Sequence, residues 1–464
     1  MEESLLKIVY QNGDDLLLAV KACLETGESP NVITKYNESP LRVASRNGRF
    51  DVIKLLLSGG ADEKQLGWTT LFHAIAYGSI ENLEDVVTGT ADLEHKDFWE
   101  RTPLLFSILV GDIEKTSLLL KAGADRTAVG RCGRVPLTYA IQKDNLAMLD
   151  FLMEQGFDPE QRDDFSATPL IGAAEAGATK CLNALIAKGV DIFAKNHVPQ
   201  AAIEYAANLD VVLALVKAGA DINDVSKERR AEMLGYSVDM PPDISAEEYF
   251  KGRNRVFGRR NPQLAHNPFW QAMIKCGGSG YKATNKFESG KNSSFEKGPV
   301  WSFDRFGKSI TLLPDGRFLE IAGEHEDHYD PDFCIYNDVF IHDGRGKCDI
   351  YIYPREVFPP TDFHTATLIG SDVYIIGSLG YPEDRRPGYT QVFRLELDNL
   401  QMERIETSGE MPGWINRHKA VYDGQSLITI KGGKLIIEKQ GREEYVDNEH
   451  EYSLCLKSLK WRKL

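Results

Sequence analysis

Three Pro-Leu steps, at Pro103, Pro136 and Pro169, stand 33 residues apart, and this period constrains the fold more than any other property of the chain. Around the first step the sequence reads RTPLLFSILVGDIEKTSLLLKAGAD over residues 101–125. Thr102 can cap the free N–H groups of a helix, and Pro103 suits its first turn, where a missing N–H costs nothing. Gly111 permits a tight turn into a second helix carrying Ile113, Leu118, Leu119 and Leu120, and Gly123 stands where a left-handed residue ends it. One such pair cannot bury its own apolar face, so copies must stack on either side. Pro40-Leu41 and Thr70-Leu71 supply further starts. The closing triplet recurs from Gly60, Thr90, Gly123, Gly156, Gly189 and Gly219, each with Asp two residues on, and Gly27 marks a degenerate first unit.

A period near 33 with T-P-L-x-x-A and G-A-D resembles the ankyrin repeat, here about seven units over roughly residues 14–224. The resemblance implies an α-solenoid over residues 1–224, with an N-terminal helical cap and an atypical last unit, that binds other proteins through its concave face and hairpin tips. The tip residues before each Thr-Pro-Leu step include Trp68, Phe98, Trp99, Arg101, Arg131 and Arg134, the residue types that dominate interface energetics. Glu100 occupies a position where the family carries Gly. The competing structural reading packs Phe98 and Trp99 against the adjacent hairpin.

Residues 225–299 change character and are expected to form a closing helix, a linker and a docking segment. Arg253, Arg255, Arg259 and Arg260 make the notable basic cluster, a solvated linker face or an acidic-partner contact. Phe269, Trp270, Met273 and Ile274 suit a short docking helix. Gly277, Gly278 and Gly280 read as a turn, because no strand precedes them as a phosphate loop requires.

From residue 300 the apolar pattern alternates, and three segments align, ending at Gly323, Gly377 and Gly432. Each reads as strand, polar turn, strand and glycine, followed by a variable loop and two further strands. Four strands per unit resembles the Kelch repeat, the blade of one kind of β-propeller. His364 and His418 match the family's R-x-x-H-x-A histidine, with Ser309 in its place in the first unit. The glycine doublet is complete at Gly432-Gly433 alone. The expected fold class is therefore multidomain α + β: an N-terminal ankyrin α-solenoid, then an all-β Kelch-like region, residues 300–464, with three recognisable blades. Three blades do not close a propeller. The open fan is covered from within the chain, by the segment at Phe269 and Trp270, or closed in a homodimer.

Several residues could carry chemistry. His325, Asp327, His328 and Asp330 are ligand-type side chains close together, a metal site or a solvated polar loop. His364 and His418 read as hydrogen-bonded ties between blades. The loops after strands two and four emerge on one rim in Kelch propellers, which would gather the His/Asp loop, Tyr381, Arg385, Arg386, Phe363, Trp414 and Arg417 into a second partner-binding site. No nucleophile elbow, P-loop or H-E-x-x-H motif occurs.

At 464 residues the chain has room for two or more domains, and its net charge of −15 argues against nucleic-acid binding. No apolar run reaches the roughly 20 residues of a membrane span, and the N-terminus lacks the pattern of a signal peptide. Seven scattered cysteines without a C-x-x-C pair suit reduced thiols in the cytoplasm. The function expected is a non-enzymatic scaffold or adaptor that binds other proteins, without cofactor, nucleic acid or membrane, and with a homodimer open. The alternative is a sugar-binding, metal-binding or enzymatic propeller-like domain carried by an ankyrin targeting arm.

Overall fold

The computed structural model describes residues 5–13, 15–89, 91–238, 240–288, 298–327 and 330–464. It divides into two compact units, Met1–Ala220 and Asp221–Leu464.

The first unit is a run of helical pairs. Leu5–Gln11 and Leu16–Glu25 are followed by Pro40–Arg46 with Phe50–Ser58, Thr70–Tyr77 with Ile80–Thr88, and Pro103–Val110 with Ile113–Lys121. Pro136–Ile141 with Leu146–Glu154 and Pro169–Ala176 with Thr179–Ala187 come next. In the last pair a 3-10 turn, Ala202–Tyr205, replaces the first helix before Leu209–Lys217. The caps follow from residue type: Ser39, Thr102 and Thr168 each accept the N–H three residues on, with proline at the first helical position. Gly123 takes φ +93 and closes its helix in the left-handed region.

The aspartate of each closing triplet then accepts the N–H two residues further along, as Asp62, Asp125, Asp158 and Asp191 do. Its own N–H is taken by the preceding unit: Asn31 accepts from Asp62, Glu94 from Asp125, and Glu160 from Asp191, at 2.6–2.8 Å. A buried lysine adds a further tie. Lys115 donates its ammonium to the carbonyls of Ile75 and Gly78 at 2.8 and 2.7 Å, stoppering the C-terminal end of Thr70–Tyr77, where the helix dipole is negative.

The second unit is strand-rich, and it carries three four-stranded antiparallel meanders. The first comprises Ser309–Leu312, Phe318–Ile321, Val339–His342 and Cys348–Ile352, with Gln263–Leu264 added at its edge. The second comprises Thr365–Ile369, Asp372–Ile376, Val392–Glu396 and Met402–Arg404. The third comprises Lys419–Tyr422, Leu427–Lys431, Tyr452–Cys455 and Lys460–Lys463, with Ser408–Gly409 pairing parallel at its edge. Strand alternation sorts each sheet into two faces. Leu319, Ile321 and Val339 meet Val373, Ile375 and Phe393 between the first and second sheets. Ile376 and Val392 meet Ile428, Ile430 and Leu454 between the second and third. Among the described residues the sheets form an open series and do not close into a ring.

The outer face of the first sheet is covered by residues of 240–288 and 298–303 of the same unit. Phe269, Trp270 and Met273, on the helix Pro268–Lys275, are fully buried against Phe340, Ile350 and Ile352. Trp270 stacks on Trp301 with ring centres 4.9 Å apart. On the same side of the sheet lies a charge cluster around the fully buried Glu320, which meets Lys308 at 2.9 Å and the buried His342 at 3.0 Å. Burial alone would raise the Glu320 pKa, but the Lys308 charge and the hydrogen bond with His342 outweigh it and hold it at about 2. The basic cluster of this segment is divided. Arg253 is buried on Glu288, Arg255 donates to the Ile335 carbonyl, and Arg259 and Arg260 are exposed.

Candidate partner-binding surfaces

The hairpin tips of the first unit form a ladder. Phe98 N–H donates to the Leu66 carbonyl at 2.9 Å, Arg131 to Trp99 at 3.4 Å, Asp164 to Cys132 at 3.2 Å and His197 to Phe165 at 3.0 Å. Asp97 builds the central tip. Its Oδ1 accepts the N–H groups of Trp99 and Arg101, both at 2.9 Å, and forces Glu100 to φ +61, a backbone state in which glycine carries no Cβ penalty.

Phe98 and Trp99 are both half-buried there. The Trp99 indole N–H donates to the Arg42 carbonyl at 2.9 Å, so part of this ring is structural. Three guanidiniums surround the pair: Arg42 lies 3.8 Å from the centre of the Phe98 ring, Arg131 4.8 Å from Trp99 and Arg46 5.4 Å from Trp99. Arg131 is paired with Glu100 at 3.2 Å and Arg46 with Glu38 at 3.1 Å. Arg42 and Arg134 form no ion pair among the described residues; Arg42 donates to Asn37 and the Gln65 carbonyl, and Arg134 to Thr138. Burial, then the Arg131 charge, depresses the Arg42 pKa, and burial does the same for Arg134.

Arg134 occupies the place in its repeat that Arg101 holds one repeat earlier, yet the two differ. Arg101 is 1% exposed. Its guanidinium is spent on Asp97 at 2.8 Å and on the carbonyl and hydroxyl of Ser45 at 2.9 and 2.7 Å. Arg101 is thus an internal strut and no surface anchor. In the next repeat Gly130 replaces the aspartate, and a Cβ at that position would collide with the Tyr139 hydroxyl. Arg134 stacks on Tyr139 at 4.8 Å instead. Trp68 also turns inward: its ring packs against Phe106, His73, Tyr77 and Phe50 at 5.0–6.5 Å. Arg42 and Arg46 complete the tip surface although they lie on a helix one stretch earlier. The signal for them is their i, i+4 spacing, which puts both on one helix face.

In the second unit the loops after strand two of each sheet touch one another in series. The hairpin Glu324–Asp327 with Asp330–Ile335 meets Tyr381, whose hydroxyl accepts the Ile335 N–H at 2.8 Å. Arg385 reaches the third elaboration, pairing with Glu443 at 2.6 Å and donating to Tyr445 at 2.9 Å. Trp414 is buried, its indole N–H on the Leu379 carbonyl at 3.0 Å. Arg386 is exposed and lines a cavity of about 470 Å³ with Arg355, Glu383, Asp384 and Arg404. Arg417 is exposed and stacks 3.4 Å from the centre of Phe363. Tyr381, Arg385 and Trp414 therefore have internal partners, while Arg386 and Arg417 present polar groups to solvent.

His325 is buried, with Nδ1 2.7 Å from the Asp304 carbonyl. His328 and the side chains of Asp327 and Asp330 lie outside the described residues, and among the described residues no group of His, Cys, Asp and Glu is spaced to hold a metal ion. A feature without sequence signal lies close by: the Glu324 carboxyl feels the charge of Asp362, a fully buried carboxyl whose Oδ1 accepts from the Ser378 hydroxyl and the Gly380 N–H. Burial and the Asp362 charge raise the Glu324 pKa to about 7, and Arg417 opposes them. Two histidines tie neighbouring sheets together: His364 Nε2 lies 2.8 Å from the Ser309 hydroxyl and His418 Nε2 2.9 Å from Thr365.

Paired helices with laddered hairpin tips define a repeat protein whose surface is set by its tips. The family model for "Ankyrin repeats (3 copies)" matches residues 6–97. The N-terminal region therefore contains ankyrin repeats. Among solved structures, the ankyrin repeat domain of Bcl-3, described as a unique member of the IkappaB protein family, is 25% identical. It aligns over 46% of this chain and 98% of its own, with a TM-score of 0.30. No curated protein matches the chain. No described helix is long and apolar enough to cross a membrane.

Proposed function

We propose that the chain is a non-enzymatic adaptor that binds a partner protein through the tip surface of its ankyrin repeats. One observation carries the reading: four arginines cluster around the half-buried Phe98 and Trp99 rings and the buried Tyr139 ring, and two of the four have no carboxylate within ion-pair distance among the described residues. Arginine and aromatic side chains held rigid at a surface are what an interface hot spot needs. The chemistry suits an acidic segment with an apolar anchor. The second unit is read as a Kelch-like arm whose rim, at Arg386 and Arg417, offers a smaller polar contact. Arg131→Glu tests the main surface. A partner captured by the full chain is expected to be lost with Arg131→Glu and kept with Arg386→Glu; a partner retained equally by both contradicts the assignment.

A second reading is favoured by the carboxyl pair. Glu324, whose pKa is raised by burial and by the Asp362 charge, and the fully buried Asp362 make a carboxyl pair of the kind that polar-ligand and hydrolytic sites use, with Arg417 opposing the shift. Heat stabilisation by a member of a sugar panel, lost with Asp362→Asn, is expected if this reading holds. No shift with any sugar sinks it.

A further inference from the structure

The three sheets of the second unit share one register, and the third breaks its chemistry. Ile321, Ile376 and Lys431 are equivalent, each ending the second strand of its sheet opposite Ser309, Thr365 and Lys419 respectively. In the first two sheets this face is covered. Ile321 lies in the core beneath the second sheet and Ile376 in the core beneath the third. Ser309 and Thr365 there meet the histidine of the following sheet. In the third sheet both positions are lysine. A fourth sheet laid on that face would have to bury two ammonium groups, which costs several kcal/mol each unless they are paired. The series is therefore ended by its own side chains.

The face so left open is cationic. Strand pairing puts Lys419, Lys431, Lys460 and Arg462 on it together, all exposed, with Glu451 as the acid beside Lys431. None of the four cations forms an ion pair among the described residues; the acids of the neighbouring hairpin, Lys434–Lys439 with Arg442–Asp447, pair instead as Lys434–Asp447, Lys439–Glu444 and Arg385–Glu443. Next to Lys419 on the edge strand, Val421 is 59% exposed. The first sheet's outer face, by contrast, is covered by the unit's own helices.

We propose that this face of the third sheet docks an acidic segment of a partner protein, with carboxylates alternating with small aliphatic residues. Charge complementarity and the exposed valine beside Lys419 set that chemistry. A second copy of the chain meeting face to face across a two-fold axis would bring cation onto cation. A long polyanion such as duplex DNA meets the net charge of −15 of the whole chain, which a short acidic segment on a local patch largely escapes.

The test uses the full chain and a fluorescein-labelled peptide of alternating Glu and Val, followed by anisotropy at low and physiological salt. The triple variant K419E/K431E/R462E is expected to weaken binding about tenfold to a hundredfold, as loss of three exposed pairs implies. The neutral K419Q/K431Q/R462Q is expected to weaken it less, and still measurably if the reversed variant fails to fold. R259E/R260E, at two exposed arginines of the same unit, is expected to leave binding unchanged. Absence of binding at low salt overturns the proposal. So does an equal loss with R259E/R260E, or tighter binding of duplex DNA or phosphatidylserine vesicles through the same three residues.

Discussion

Arg101 binds three groups with one guanidinium: the Asp97 carboxylate, the Ser45 carbonyl and the Ser45 hydroxyl. Removing it leaves Asp97, itself buried, as an uncompensated charge. Arg101→Ala is therefore expected to cost about 3–5 kcal/mol in urea denaturation of the first unit, whereas Arg131→Ala, whose ion pair is exposed, is expected to cost about 1 kcal/mol or less. At the same scale, burial keeps His364 and His418 neutral, with pKa values near 3 and 4 against an ordinary 6.5. The unfolded chain takes up those protons first, so their contribution is full above pH 6.5 and is lost as the pH falls toward 4 and then 3. The loss approaches about 1.4 kcal/mol per pH unit for each ring. Glu324, raised to about 7, acts oppositely and gains stability as the pH falls through 7 toward 4.5. The comparison that isolates the histidines is wild type against His364→Gln/His418→Gln, whose denaturation midpoint is expected to vary less between pH 6.5 and 4; parallel curves would contradict buried neutral rings. Sequence puts Arg101 and Arg134 at one place in the repeat and cannot separate them, because what separates them is distant: Ser45 lies 56 residues from Arg101, and Tyr139 fills the space that an aspartate at Gly130 would need.

At the scale of elements, what is legible in sequence is what local chemistry controls. Thr102-Pro103 marks the start of one helix and Gly123 the end of the next because capping and left-handed backbone are properties of single residues. The four-strand rhythm after residue 300 is legible because alternation reports burial on two faces. The small hairpins between strands two and three are not, since they are polar and their partners lie on neighbouring sheets. The packing of Trp68 is not legible for a related reason. This tip tryptophan is half-buried, and the rings it packs on, Phe50 and Phe106, come from other repeats. The helix Pro268–Lys275 is both legible and structural. Its apolar stripe covers the first sheet, so Trp270→Ala, which also removes the stack on Trp301, is expected to destabilise the second unit by about 3–5 kcal/mol. Binding of a hydrophobic dye by the exposed sheet is the accompanying readout. A midpoint unchanged from wild type would show that the helix covers nothing of consequence.

At the scale of the whole molecule, two units of different construction each carry a surface their own packing leaves incomplete: guanidiniums around half-buried rings on one, exposed lysines with no ion pair among the described residues on a sheet face of the other. Chain length, charge and repeat period foretell the two-part organisation, while the arginine cluster appears only once helix Pro40–Arg46 is set beside the tip at Trp99. The central claim is that this cluster binds a protein partner. Quantitative affinity capture with the full chain and with Arg131→Glu, matched for folding by thermal melt, tests it most directly. The account expects specific partners of the wild-type chain to fall by about tenfold or more with Arg131→Glu, as truncation of a hot spot does. An identical set of partners recovered in equal amounts by both proteins would contradict it.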